Sequence, residues 1–113
     1  MYQELSPESY LQYIQDSSIN IIDVRTNAEY VKSHIEGAVN VNYLGGHFKR
    51  DLVEINLDNS KPTLIYCETQ HRSLFVAKKL YRAGFLKVVD LDKGMMNWRN
   101  QQFPYFDSDT IQK

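Results

Sequence analysis

At 113 residues, 42% apolar and 24% charged, the chain has the size and make-up of one globular domain, 1–113, able to bury a core without metal or disulfide staples. Its net charge of −1, with 13 basic residues scattered among 14 acidic ones, argues against nucleic acid or an acidic membrane as the main partner. A single cysteine excludes an internal disulfide, and the absence of a basic, apolar leader or a long apolar run leads us to expect a cytoplasmic protein that does not enter a membrane.

Ser6 followed by Pro7 reads as an N-cap and first helical position, and Tyr10, Leu11 and Ile14 then share one face, which predicts a helix over 7–15. "INIIDVR" is a short β-branched run with Asp23 and Arg25 at its C-terminal end, the pattern of a buried strand. Thr26 stands three residues before Glu29, a capping box that opens a short helix. "EGAVNV" reads as a turn and a further strand. "GGHFKRDLVEIN" is ambiguous, because Phe48, Leu52 and Ile55 keep helical spacing while the glycines obscure where a helix would begin.

"TLIYC" is a continuous apolar run of the kind found in a strand covered on both faces. A helical pattern follows from Arg72 to Ala83, with Val76, Ala77, Leu80 and Tyr81 on one side and Gly84 as its C-terminal stop. "KVVDL" is a fourth strand, and "MMNWRNQ" a last short helix after Gly94. Residues 105–113 are polar and lose periodicity, the signature of a frayed tail. Strands alternating with helices predict an α/β layer structure with a largely parallel sheet.

Cys67 falls where a buried strand ends and Arg72 where the next helix begins, outside the carboxyl end of a strand, where open α/β sheets bind ligands. A short loop from strand to helix turns backbone N–H groups into its own concavity, a cradle for anions. Thiols at a helix N-terminus beside a cation have their pKa lowered from about 8.5 to as little as ~3.5 to 7.5, and the thiolate is the nucleophile. At this level two readings stand side by side: Cys67 as a nucleophile, or as one of the small apolar residues that most often line a core.

These residues resemble the rhodanese family along most of the chain, about residues 4 to 103. "IIDVRTNAEYVKSHIEGAVNV" resembles its first signature, "LIYCETQHRS" its active-site loop Cys-x-x-Gly-x-Arg-Ser, and "GFLKVVDLDKGMMNW" its closing signature. The resemblance implies a three-layer α/β fold with a five-stranded, mainly parallel sheet flanked by helices. It also implies a sulfurtransferase: Cys67 takes a sulfane sulfur from a donor such as thiosulfate, holds it as a persulfide and passes it to a thiophilic acceptor. With one cysteine in the chain, that acceptor has to be external, a thiol or cyanide.

The resemblance assigns Cys67 and Arg72 to catalysis, and Glu68, Thr69, Gln70, His71 and Ser73 to the substrate-binding loop. Asp23 and Arg25 are expected to support that loop from a neighbouring strand, as an ion pair that serves either chemistry or scaffold. No cofactor is implied, no histidine has metal-ligand spacing to Cys67, and no surface element specifies an oligomeric state. His34 reads as a structural turn residue, His71 as a solvated or charge-tuning one, and His47 is unassigned. Trp98, Met95 and Met96 read as core or rim packing.

Departures from the family pattern carry expectations of their own. Gln70 stands in place of a glycine, at a cost of roughly 1 to 2 kcal/mol if its φ is positive. Glu68 places a negative charge beside the cradle, which predicts poor use of thiosulfate. Ser33 and Lys93 replace further glycines, in what read as turns. Two rival functions share the fold: a phosphatase or arsenate reductase, whose loop resembles Cys-x5-Arg rather than the Cys-x4-Arg found here, and a non-catalytic binding or redox-sensing module.

Overall fold

The computed structural model of the chain describes residues 2–16, 18–69 and 73–111. Strands Tyr2–Leu5 (β1), Asn20–Asp23 (β2), Val39–Asn40 (β4), Thr63–Tyr66 (β5) and Val88–Leu91 (β6) form a five-stranded sheet in the order β1-β6-β5-β2-β4. Every pairing in this sheet is parallel. Helices Pro7–Asp16 (α1), Asn27–Lys32 (α2), Phe48–Ile55 (α3), Ser73–Arg82 (α4) and Gly94–Asn100 (α5) connect the strands. Two-residue Ser33–His34 (β3) pairs antiparallel with Phe106–Asp107 (β7), and Ser108–Ile111 (α6) follows.

Neighbouring side chains on a strand point to opposite faces, and the sheet divides its apolar pairs accordingly. Ile22, Ile65 and Val88 join Phe48 and Leu52 of α3 and Val76, Ala77 and Leu80 of α4 in one cluster. Ile21, Leu64 and Val89 join Tyr10 of α1 and Met95 and Trp98 of α5 in the other. This is why the continuous runs "NII" and "TLIY" lack alternation: both faces are covered, and all four residues of β2, β5 and β6 are buried. Trp98 and Met95 are core, the Trp98 Nε1–H donating to Pro104 O at 2.9 Å, whereas Met96 is 43% exposed.

Local signals held where they were strong. The Ser6 carbonyl accepts from Tyr10 N at 2.9 Å. Thr26 and Glu29 close the capping box in both directions, at 3.3 Å to the Glu29 N–H and 3.1 Å from the Thr26 N–H. Gly84, at φ +97°, turns the chain out of α4, with Phe85 N donating back to Leu80 O at 3.1 Å. The ambiguous segment is helical from Phe48, once Gly46 at φ +79° has made the turn.

Two expectations change and one strand is new. Tyr2–Leu5 shows no strand pattern, yet it forms the edge strand β1, because β6 offers it a complete parallel register from Tyr2↔Val88 to Leu5↔Leu91. Within the segment expected to fray, Phe106–Asp107 pairs with β3, and Phe106 stacks on His34 at 4.8 Å. Ser33 and His34 lie in β3 rather than in a turn; Ser33 has an extended φ of −159°, which any residue adopts.

Candidate active site

Cys67 directly follows β5, which lies between β6 and β2 in the sheet. Its backbone is pinned by α5: Met95 N donates to Cys67 O at 2.8 Å and Met96 N to Glu68 O at 3.0 Å. The first N–H groups of that helix, which lack partners within it, thereby find them in the candidate loop. This docking requires glycine at position 94. A Cβ there would stand 2.5 Å from both the Cys67 and Glu68 carbonyl oxygens, and φ is +68°. Lys93 beside it takes a left-handed φ of +59°, a conformation that costs a side chain about 1–2 kcal/mol. Lys93 is one of the three positions where a glycine was expected, and the strain is carried at the entry to α5.

The Cys67 thiol faces Ser73, the first residue of α4, with Sγ 3.8 Å from Oγ. Ser73 is wholly buried and Cys67 partly so. Cys67 lines a cavity of about 330 Å³ together with Val24, Arg25, Thr26, Glu29, Tyr43, Leu44, Glu68 and Thr69. Gln70, His71 and Arg72 lie outside the described residues, so the positions expected for the family's glycine and arginine are not placed.

Asp23 and Arg25 are brought to the loop as expected, with β2 directly beside β5 and Asp23 in register with Tyr66. The pair is buried and multiply bonded. Arg25 Nη2 lies 2.7 Å from Asp23 Oδ2, Nε bridges both carboxylate oxygens at 3.1 Å, and the Arg25 N–H donates to Oδ1 at 2.9 Å. The guanidinium also reaches the Ser33 carbonyl and stacks over the Tyr66 ring at 5.5 Å. Burial works against the Arg25 charge, but Asp23 outweighs it and keeps the group protonated beyond its ordinary range.

The remaining face of Arg25 turns to Glu68, Nη1 to Oε1 at 3.0 Å. Arg99 of α5 grips the same carboxylate from the other side, through Nη2 to Oε2. Burial favours the neutral form of Glu68, yet Arg99 and then Arg25 hold its pKa below the usual value. The charge of Glu68 therefore sits between two guanidinium groups, of which Arg25 also serves Asp23. Arg99 was not singled out in the sequence. Its only local signal is a position one after Trp98, and only the docking of α5 on the loop brings it to Glu68.

A second buried carboxyl belongs to β6, the strand beside β5. Asp90, on β6 opposite Ile65, has no exposed surface. Tyr2 Oη donates to its Oδ2 at 2.6 Å, and the Ser73 hydroxyl also favours its charged form, while Oδ1 accepts no hydrogen bond of normal geometry from the described residues. Burial dominates and pushes the carboxyl up to about 6. Of the histidines, His34 is stacked between Tyr30 and Phe106 with Nδ1 2.7 Å from Tyr30 O, and His47 precedes α3; neither lines the cavity.

A parallel α/β sheet with a cysteine loop at the carboxyl end of a central strand, closed by a glycine-led helix, defines the class. The family model of the rhodanese-like domain matches residues 6–101, and the chain belongs to that family. It is 30% identical over 99 residues to the thiosulfate sulfurtransferase GlpE of Pseudomonas entomophila, covering 88% of this chain and 86% of that one. It is 34% identical over 96 residues to YrkF of Bacillus subtilis, a protein provisionally named as a sulfur carrier; that match covers 84% of this chain but only half, 50%, of YrkF. Among solved structures, the rhodanese-like domain of Alr3790 from Anabaena superposes with a TM-score of 0.80 at 20% identity, covering 97% of this chain and 83% of that one. The relatives place the chain in a sulfurtransferase family. No helix among the described residues is long and apolar enough to cross a membrane.

Proposed function

We propose that the protein is a sulfurtransferase that carries a sulfane sulfur on Cys67. The observation that bears most weight is the placement of Cys67: the residue lines the cavity while its carbonyl is tied to α5, so it borders the open space with its backbone held. Preorganisation of this kind limits the motion needed to reach a reactive geometry.

In the first step the Cys67 thiolate attacks the outer sulfur of thiosulfate. An S–S bond forms to Cys67, the S–S bond of the donor breaks, and sulfite leaves with the electron pair. A persulfide donor reacts likewise and releases a thiolate. In the second step an external thiol or cyanide attacks the terminal sulfur and Cys67 leaves as thiolate. The loop amides of Glu68 and Thr69, with Gln70, His71 and Arg72, are assigned to the anionic donor and persulfide, Arg72 adding charge. Asp23 and Arg25 hold the loop through Glu68. A soluble cytoplasmic setting, where thiols stay reduced, suits this chemistry.

Intact-mass spectrometry after exposure to thiosulfate, and separately to polysulfide, tests the reading. Sulfur should add to the protein, be removed by cyanide, and fail to add to Cys67→Ala. No adduct from any donor, together with cleavage of an aryl phosphate, would replace sulfur transfer by phosphatase chemistry. No adduct and no hydrolysis would leave a binding module.

A further inference from the structure

Glu68, directly after Cys67, holds a carboxylate between two guanidinium groups, and those groups outline an oxyanion site. Arg25 Nη1 lies 3.0 Å from Oε1, Arg99 Nη1 reaches the same oxygen at 3.4 Å, and Arg99 Nη2 pairs with Oε2. Forked guanidinium contacts of this kind suit carboxylates and tetrahedral oxyanions alike. Solvent reaches the site, since the Glu68 and Arg99 side chains keep 31% and 28% of their surface exposed.

The bridge also stands at a boundary. Arg25, Glu29 and Glu68 line both the cavity at Cys67 and a second one of about 320 Å³, and Arg99 belongs to the lining of the second. In the cavity at Cys67 the charged side chains among the described residues are two carboxylates, Glu29 and Glu68, and one cation, Arg25. Asp23 and the Ser33 carbonyl already engage Nε and Nη2 of that cation, which leaves Nη1 to Glu68. Docking of α5 does not depend on the bridge alone, because Met95 N and Met96 N tie that helix to the Cys67 and Glu68 carbonyls at 2.8 and 3.0 Å.

We propose that Glu68 is a specificity-determining residue: its carboxylate occupies, from within the chain, the oxyanion site of Arg25 and Arg99, and so disfavours a donor with an oxyanion of its own, such as thiosulfate, relative to a persulfide. The proposal rests on the reading of Cys67 as the sulfur carrier. Thiosulfate brings two negative charges to a cavity whose described residues offer no uncommitted cation, and it must release sulfite there. A persulfide R–S–SH brings no oxyanion. The Cys67 thiolate attacks its outer sulfur, an S–S bond forms to Cys67, the donor's S–S bond breaks, RS⁻ leaves with the electron pair, and the proton stays on the transferred sulfur. Burial opposes the charge of Glu68, but Arg99 and then Arg25 hold its pKa below the usual carboxylate range, so the site stays filled at neutral pH.

Glu68→Gln keeps the shape of the side chain and removes its charge. Intact mass gives the rate at which a donor loads sulfur onto the protein, and the single cysteine makes that rate a property of Cys67. The ratio of loading rates, thiosulfate over 2-hydroxyethyl persulfide, should rise about tenfold in Glu68→Gln, between the weight of an exposed and of a buried charge contact. Sulfate, an oxyanion with no sulfur to give, probes the site apart from any transfer. At millimolar concentration, against chloride of equal ionic strength, it should raise the Tm of Glu68→Gln and leave both the wild type and the double variant Glu68→Gln, Arg99→Gln unmoved.

An unchanged loading ratio, or the same sulfate response in wild type and Glu68→Gln, overturns the proposal. A uniform loss of loading from both donors with a lowered Tm also overturns it, since the bridge is then a scaffold contact. Should Glu68→Gln fail to fold, Glu68→Ser, too short to reach either guanidinium group, is read in the same two ways. Absence of loading from every donor refutes sulfur transfer, and the sulfate arm then decides alone. A sulfate response that opens only when Glu68 is neutralised upholds the occupied oxyanion site, and one that never opens removes it.

Discussion

Replacing Asp90 by Asn should stabilise the protein at neutral pH, and the size of the gain follows from the burial of its carboxyl. Burial raises its proton affinity from 3.8 to about 6. The folded state therefore binds more protons than the unfolded state between these values, and stability falls as pH rises through that window. A shift of roughly two units costs about 3 kcal/mol once Asp90 is ionised. The amide introduced by Asn leaves an N–H without an acceptor where Oδ1 now lies, which gives back about 1 kcal/mol. The net expectation is that Asp90→Asn is about 2 kcal/mol more stable at pH 7 to 8, roughly 8 °C in Tm, and slightly less stable than wild type below pH 4. Urea denaturation followed by the fluorescence of Trp98, the sole and buried tryptophan, measures both proteins across this range. Glu68, whose charge Arg99 and Arg25 favour against its burial, contributes stability that is lost only as pH falls below the usual carboxylate range; it is common to both proteins and cancels in the difference. Parallel stability curves for wild type and variant from pH 4 to 7 would refute the reasoning.

Gly94→Ala should destabilise the fold by about 2–4 kcal/mol and lower persulfide yield, since its Cβ would meet two backbone carbonyls at 2.5 Å; chemical denaturation and intact mass read the two effects. Arg25→Met should cost about 3–5 kcal/mol, because it strands Asp23 buried without its cation, and thermal denaturation should show the loss. Arg99→Ala removes one of the two guanidinium groups on Glu68, so KM for thiosulfate should rise several-fold with little change in the KM for an uncharged donor, and Glu68→Gln in the same protein should restore it. Thr26→Ala should cost ~1 kcal/mol through loss of the capping box, read by thermal denaturation.

The alternation of elements, the covered strands and the cysteine loop were legible in the sequence because each depends on neighbours along the chain. Apolar runs at Ile21–Ile22 and Leu64–Ile65, the capping box at Thr26 and the stop at Gly84 are local effects, and they appear in the structure where the residues predict them. The edge strand Tyr2–Leu5 was not legible, since its side chains carry no burial pattern of their own and its pairing is supplied by β6. His34 and Ser33 were misread as turn residues for the same reason: their partner strand lies more than seventy residues away.

The sequence by itself determined the class of fold, the family and the cysteine on which the chemistry is proposed to run, because periodicity, caps and a motif of contiguous residues survive without coordinates. Only the tertiary structure decided the electrostatics around that cysteine. Glu68 reads as an unfavourable charge until α5 brings Arg99 to it and β2 brings Arg25. Asp90 is one unremarked residue of "KVVDL" until the sheet buries it and β1 brings the Tyr2 hydroxyl to its carboxyl. The physical reason is that a charge is set by its dielectric surroundings and its partners, and both are assembled from segments far apart in the chain.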